Sequence, residues 1–116
     1  MNYYMILLNK KEEYIESDAI IFTFQVYNEL HALQSDLSAF KFALRITNGA
    51  DVVTKKDANY AGGSVSQIAV TFDKVNVFID SDDTNNFYGD YVIEFQMQNK
   101  TSGSRQSYRK IINFYE

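Results

Sequence analysis

The chain has 116 residues, a formal net charge of −4, no cysteine, no proline, and nine phenylalanines beside nine tyrosines. That length suits one domain, taken here as residues 1–116, which buries about two-thirds of its unfolded surface. The missing cysteines exclude disulfides and thiolate metal centres. Eleven scattered basic residues, nowhere denser than Arg105 to Lys110, argue against a nucleic-acid footprint.

The first apolar stretch, Tyr3 to Leu8, reads as a strand. It is too short to span a bilayer, which needs about 20 apolar residues. It has no leading basic residues and no small-residue cleavage site, so no signal peptide is expected and the product is expected to be soluble when made. Lys10-Lys11-Glu12-Glu13 reads as a charged break. From Ala19 to Tyr27 apolar residues alternate: Ile20, Phe22, Phe24 and Val26 share one face, with Thr23 and Gln25 opposite. This is the period of a half-buried strand.

Asn28 to Asp36 is ambiguous. Glu29 to Gln34 could make a helical turn but is too short for a stable helix, so a loop is expected. Asp36-Leu37-Ser38 then leads into a strand with Phe40, Phe42, Leu44 and Ile46 inward and Lys41, Arg45 and Thr47 outward. Asn48-Gly49 is a strong hairpin signal, because both residues tolerate positive φ, and it leads to Asp51–Lys55. After the loop Asp57 to Gly63, Ser64 to Phe72 alternates Ile68, Val70 and Phe72. Asp73-Lys74 reads as a turn before Val75, Val77 and Ile79.

Asp80 to Tyr88 is a polar loop ending at Gly89. Tyr91, Ile93, Phe95 and Met97 then share one face, with Glu94 and Gln96 opposite; Val92 breaks the polar pattern. The last strand, Ser107 to Phe114, follows a tip rich in turn formers, Asn99 to Ser104. The outcome is an all-β chain of about seven to eight strands at the spacing of an antiparallel sandwich. With no proline, its edge strands must be protected by charge or by partners.

No catalytic arrangement stands out. His31 is the sole histidine; it sits in a loop with no nucleophile turn nearby and reads as solvated. The acidic run Asp80, Asp82 and Asp83 has Asn85 where a calcium loop needs glycine, and Tyr91 where it needs the bidentate glutamate. It reads as a capped turn, and neither metal nor cofactor is expected. Gly62-Gly63 lacks the lysine and helix of a phosphate loop and reads as a turn before a strand. Asn99-Lys100-Thr101 matches a glycosylation sequon, meaningful only in a eukaryotic secretory setting. Tyr27, Tyr60, Tyr88 and Tyr115 lie in loops or off the clean inward faces. They are the candidate interface residues, with Tyr27 and Tyr115 taken as edge-strand anchors; the plainer alternative is that they cover the sandwich rims.

Three segments in order carry a family resemblance: Ile20-Ile21-Phe22-Thr23-Phe24; Asp36-Leu37-Ser38-Ala39-Phe40-Lys41-Phe42-Ala43-Leu44; and Asp83-Thr84-Asn85-Asn86-Phe87-Tyr88-Gly89-Asp90-Tyr91-Val92-Ile93-Glu94-Phe95. Together they resemble the N-terminal immunoglobulin-like domain of phage baseplate upper proteins, over about residues 19–114. The resemblance implies an antiparallel immunoglobulin-like sandwich without enzymatic activity. It implies a part in the virion's tail, made in the bacterial cytoplasm, that joins other tail or baseplate proteins or its own copies by protein contacts. Neither nucleic acid nor membrane is an expected partner. The alternative class is a carbohydrate-binding sandwich using the loop tyrosines and the Asp80–Asp83 run; a third is an accessory domain of an enzyme.

Overall fold

A computed structural model describes residues 2–9, 11–49 and 51–115. The alternation of large apolar and polar residues forms strands wherever it is sustained. In chain order these are β1 (Tyr3–Leu7), β2 (Glu13–Ile15), β3 (Ile20–Asn28), β4 (Phe40–Asn48), β5 (Asp51–Lys56), β6 (Ile68–Thr71), β7 (Lys74–Ile79), β8 (Gly89–Asn99) and β9 (Arg105–Tyr115). They make two sheets, ordered β1-β3-β7-β6 and β2-β9-β8-β4-β5. No helix occurs among the described residues.

The sheets face each other across one apolar core. Phe22, Phe24 and Val26 of β3 meet Phe42, Leu44, Ile93, Phe95 and Phe114 from the other sheet, all essentially without exposure. The expected inward residues Phe22, Phe24, Phe40, Phe42, Leu44, Ile93, Phe95 and Phe114 are all buried. Phe24 and Phe95 stack between the sheets with centroids 3.8 Å apart, and Phe42 lies parallel to Phe95 at 5.6 Å. Each such ring buries a large apolar area in a core without cystine or tryptophan.

Four expectations need correction. There are nine described strands rather than seven or eight, because Glu13–Ile15 within and beyond the charged break forms β2. Lys10, also placed in that break, lies outside the described residues. The sheets are not wholly antiparallel, since β2 runs parallel to β9. Tyr14 explains why three residues suffice: its ring packs 5.8 Å from both Phe22 and Phe114, and its hydroxyl donates to the Lys11 carbonyl.

Phe72 does not alternate inward. Thr71 pairs with Lys74, so Phe72 and Asp73 form the hairpin turn, not Asp73 and Lys74. Phe72 is 79% exposed with a φ of 57°. In addition, β6 starts at Ile68 rather than Ser64, because the backbone of Ser64 is already used by the preceding loop.

The ambiguous segment after β3 is a loop, as expected, and its register is local. The Asn28 carboxamide oxygen accepts from the N–H groups of Leu30 and Ala32, and Leu33 bridges back to Tyr27. A hairpin follows at Asn48-Gly49 as expected, but Asn48 is itself the last residue of β4, paired with Asp51, and it is Gly49, with a φ of 69°, that takes the positive angle.

Gly89 starts β8 with a φ of 91°, outside the comfortable range of any residue with a side chain. A Cβ there would meet nothing within 4 Å, so the demand is conformational rather than steric. Gly89→Val should therefore lower stability by about 2 kcal/mol, read as a shift in the urea midpoint. A midpoint equal to wild type would show that the turn rebuilds without glycine.

Candidate functional site

The four nominated tyrosines do not converge on one patch. Tyr27 lies on the outer face of the four-stranded sheet, on β3, which is flanked by β1 and β7. Its ring stacks on Tyr4 at 5.5 Å, and the Tyr4 hydroxyl shares a 2.8 Å hydrogen bond with His31 Nδ1. His31 is thus exposed, as expected, yet engaged in holding its loop against β1. Tyr115 ends β9, which lies between β8 and β2. Neither tyrosine is on an edge strand, which corrects the expected placement: β2 covers one and β1 the other.

Tyr60 belongs to the loop after β5. Its ring takes the Lys41 ammonium at 4.5 Å, and its hydroxyl donates to Gln98 Oε1. Burial raises its phenol pKa, the Asp57 carboxylate raises it further, and Arg105 opposes both. Tyr88 is largely exposed just before β8. The pairing of Gly89 with Phe114 brings Tyr88 and Tyr115 to the same end of the sandwich.

The acidic run is built into a turn. Asp83 forms a 2.8 Å ion pair with Lys55 and accepts from the Asp80 N–H. Lys55 points inward from β5, an edge strand, and is nearly buried; an inward charge of this kind discourages edge pairing. Thr84, fully buried, donates to the Asp18 carbonyl. Among the described residues no group of three or more metal-ligating side chains occurs, and no helix is long and apolar enough to cross a membrane.

Sequence reading missed a larger feature, the outer face of the five-stranded sheet. Strand register lays its outward side chains in rows. One row is mostly apolar: Val52, Thr47, Val92 and Ile111 are successive cross-strand neighbours. Val52 is 55% exposed, Val92 40% and Ile111 64%. On one side of this row lie Glu13, Asn113 and Asp90, and beyond them Ile15 and Tyr115. On the other side lie Thr54, Arg45, Glu94 and Arg109, then Lys56, Ala43, Gln96 and Ser107, then Lys41, Gln98 and Arg105.

The face is therefore acidic at one end, apolar beside that end, and basic at the other. Arg109 Nε contacts Glu94 Oε2 at 2.5 Å, but the arginine is largely exposed, so the pair adds little stability. Two open depressions mark this face. One, of about 260 Å³, is floored by Ala43 between Arg45, Thr54, Glu94 and Gln96. The other, of about 600 Å³, is lined by Glu12, Val92, Arg109, Lys110 and Ile111.

The signal in the sequence was Val92, the apolar residue among polar outward positions, matched by Ile111 beside the inward Ile112. A second apolar spot lies where the Phe72 turn meets Val70, Leu37, Phe40 and Lys100. Comparison with protein-family models, with curated proteins and with solved structures gives no match.

Proposed function

We propose that this chain is an immunoglobulin-like structural module of a phage tail or baseplate that works through protein–protein contacts and not through catalysis. The observation that carries the contact reading is the exposed apolar row Val52, Val92 and Ile111 across the outer face of the five-stranded sheet. Outward positions of a solvated sheet are ordinarily polar, and an exposed, mostly apolar row rimmed by charge suits a protein interface.

Two features support the immunoglobulin-like reading. The order β1-β3-β7-β6 against β9-β8-β4-β5 follows the A-B-E-D and G-F-C-C′ arrangement, with the first segment shared between sheets as β1 and β2. Gly89 and the buried Tyr91 sit where β8 begins, at the corner where such domains carry a conserved tyrosine. Tyr91 stacks on Phe87 at 4.3 Å and meets Phe114 edge-on at 5.4 Å. The inter-sheet disulfide of antibody domains has no counterpart in a chain without cysteine; the Phe24–Phe95 stack bridges the sheets instead. The phage assignment itself rests on the three-segment resemblance.

The carbohydrate-binding reading would need tyrosines gathered as a stacking platform, and the four candidates are spread over both sheets and both ends. The test is composition of purified particles from the strain carrying the gene, after phage induction. The chain should co-sediment with tails in mass spectrometry. Absence from particles together with saturable binding to a defined glycan would replace this reading with the carbohydrate-binding one.

A further inference from the structure

We propose that the uncovered half of β9, from Arg105 to Ile111, is a docking edge that takes an extended acidic segment of another protein as an added strand. This rests on the contact reading above and names the chemistry of a partner.

Backbone bonding defines the edge. The Asn99 N–H donates to the Ser104 carbonyl where the β8–β9 hairpin closes. Bonded pairs alternate along antiparallel strands, so Gln106, Tyr108 and Lys110 bond to β8. Arg105, Ser107, Arg109 and Ile111 turn their N–H and C=O groups the other way. The far end of the strand agrees: the Asn113 N–H donates to the Glu12 carbonyl, and the Tyr115 carbonyl accepts from the Glu16 N–H, both on the β2 side.

The partner on that side is short. β2 pairs with β9 only from Asn113 to Tyr115. Among the described residues no backbone hydrogen bond reaches the outward groups of Ser107 or Arg109. β1 does not fill the place, since it is bonded to β3 in the other sheet. The open depression of about 600 Å³ beside Glu12, Lys110 and Ile111 lies where β2 leaves off. Such an edge binds an extended peptide through main-chain hydrogen bonds.

Charge selects the occupant. A strand laid along this edge passes Arg105 and Arg109 on the outer face and Lys110 on the inner one. Of the three, only Arg109 has a carboxylate within ion-pair distance among the described residues. The chain as a whole carries a net charge of −4, so this edge has the opposite sign. Antiparallel pairing of β9 with itself about Ser107 would set Arg105 beside Arg109 of the second copy, twice over, and like charges so placed repel. Basic side chains on an edge thus deter a second copy and attract an acidic strand.

Register gives the pattern of that strand. Acidic residues belong beside Arg105, Arg109 and Lys110, and apolar ones beside Tyr108 and Ile111. For an antiparallel strand this reads Val-Glu-Glu-Val-Thr-Thr-Glu; for a parallel strand it reads in reverse.

The probes are these two peptides with blocked ends, and the same pair with lysine for glutamate. Nuclear magnetic resonance titration of the purified chain should show one glutamate peptide binding with a dissociation constant on the order of 0.1–1 mM. Amide shifts should centre on Ser107 and Arg109, and exchange of those amides should slow. The lysine peptides should bind about tenfold more weakly or not at all. Ser107→Pro removes an N–H that β8 does not use, a change sheet edges tolerate, and should abolish binding. In the Arg105→Glu, Lys110→Glu double variant the preference should reverse toward the lysine peptides. Unchanged circular dichroism shows that each variant folds.

No shift with either glutamate peptide, equal binding of glutamate and lysine peptides, or shifts centred away from β9 would each overturn the proposal. So would a homodimer that protects the Ser107 and Arg109 amides. A chain found in phage tails that ignores the peptides would sink strand addition and keep the assembly reading. A chain absent from particles whose edge takes the glutamate peptide would do the reverse.

Discussion

Gly63→Ala is expected to destabilise the protein by about 3 kcal/mol or more, far beyond an ordinary loop substitution. A Cβ at Gly63 would sit 1.9 Å from the Asp57 carbonyl oxygen, 2.7 Å from its carbonyl carbon and 2.9 Å from the Lys56 oxygen. All three are backbone atoms, so no side-chain rotation relieves the clash. The loop closes on itself there through the bonds from Tyr60 N to Asp57 O, Gly63 N to Tyr60 O and Ser64 N to Lys56 O.

That closure also holds Asp57 in place. Asp57 is 3% exposed, and its carboxylate accepts from the Phe42 N–H at 2.8 Å and the Asn59 N–H at 2.9 Å. Opening the loop orphans a buried backbone donor in β4, a loss of about 1–3 kcal/mol by itself. Gly62→Ala is the control. That glycine has a φ of 80° but open space around it, so it should lose only about 1 kcal/mol. Urea denaturation of the two variants should separate them clearly. Equal midpoints would show that the close approach at Gly63 is not what limits the loop.

Phe95→Ala is expected to cost about 3–5 kcal/mol, a large share of the 5–15 kcal/mol typical of a domain. Phe95 has no exposure and lies between Phe24 of the opposite sheet and Phe42 of its own. Both neighbours are ring faces held by their strands, so the cavity cannot collapse fully. Phe95→Leu should lose roughly half as much, since it refills part of that volume. Thermal and urea unfolding of both variants measure this. In contrast, Ile111→Ala on the solvated face should stay within about 0.5 kcal/mol of wild type. A Phe95→Ala midpoint near wild type would mean that the stacked rings do not hold the sheets together.

The core was legible because its strands are long and their alternation is clean. Over β3, β4 and β8 the period of two assigns inward and outward faces without knowledge of any partner, and the buried residues follow it. Gly89 was legible for a local reason as well, since backbone freedom belongs to one residue. Turn placement was less secure: Phe72 continues an apparent alternation from Ile68 and Val70. Only pairing with β7 shows that the chain has already turned there.

Length, aromatic content, two-fold periodicity and turn chemistry thus determine an all-β sandwich and most of its core. Tertiary structure alone decides which strands are edges, that Tyr14 inserts a ninth strand beside β9, and that Asp57 and Gly63 lock a loop. It also decides that Val52, Val92 and Ile111 form one row, though each reads as an isolated exposed residue along the chain. The physical reason is that register belongs to pairs of strands. It is set by how two sheets bury their inner faces together, and a surface row is written across strands far apart in sequence.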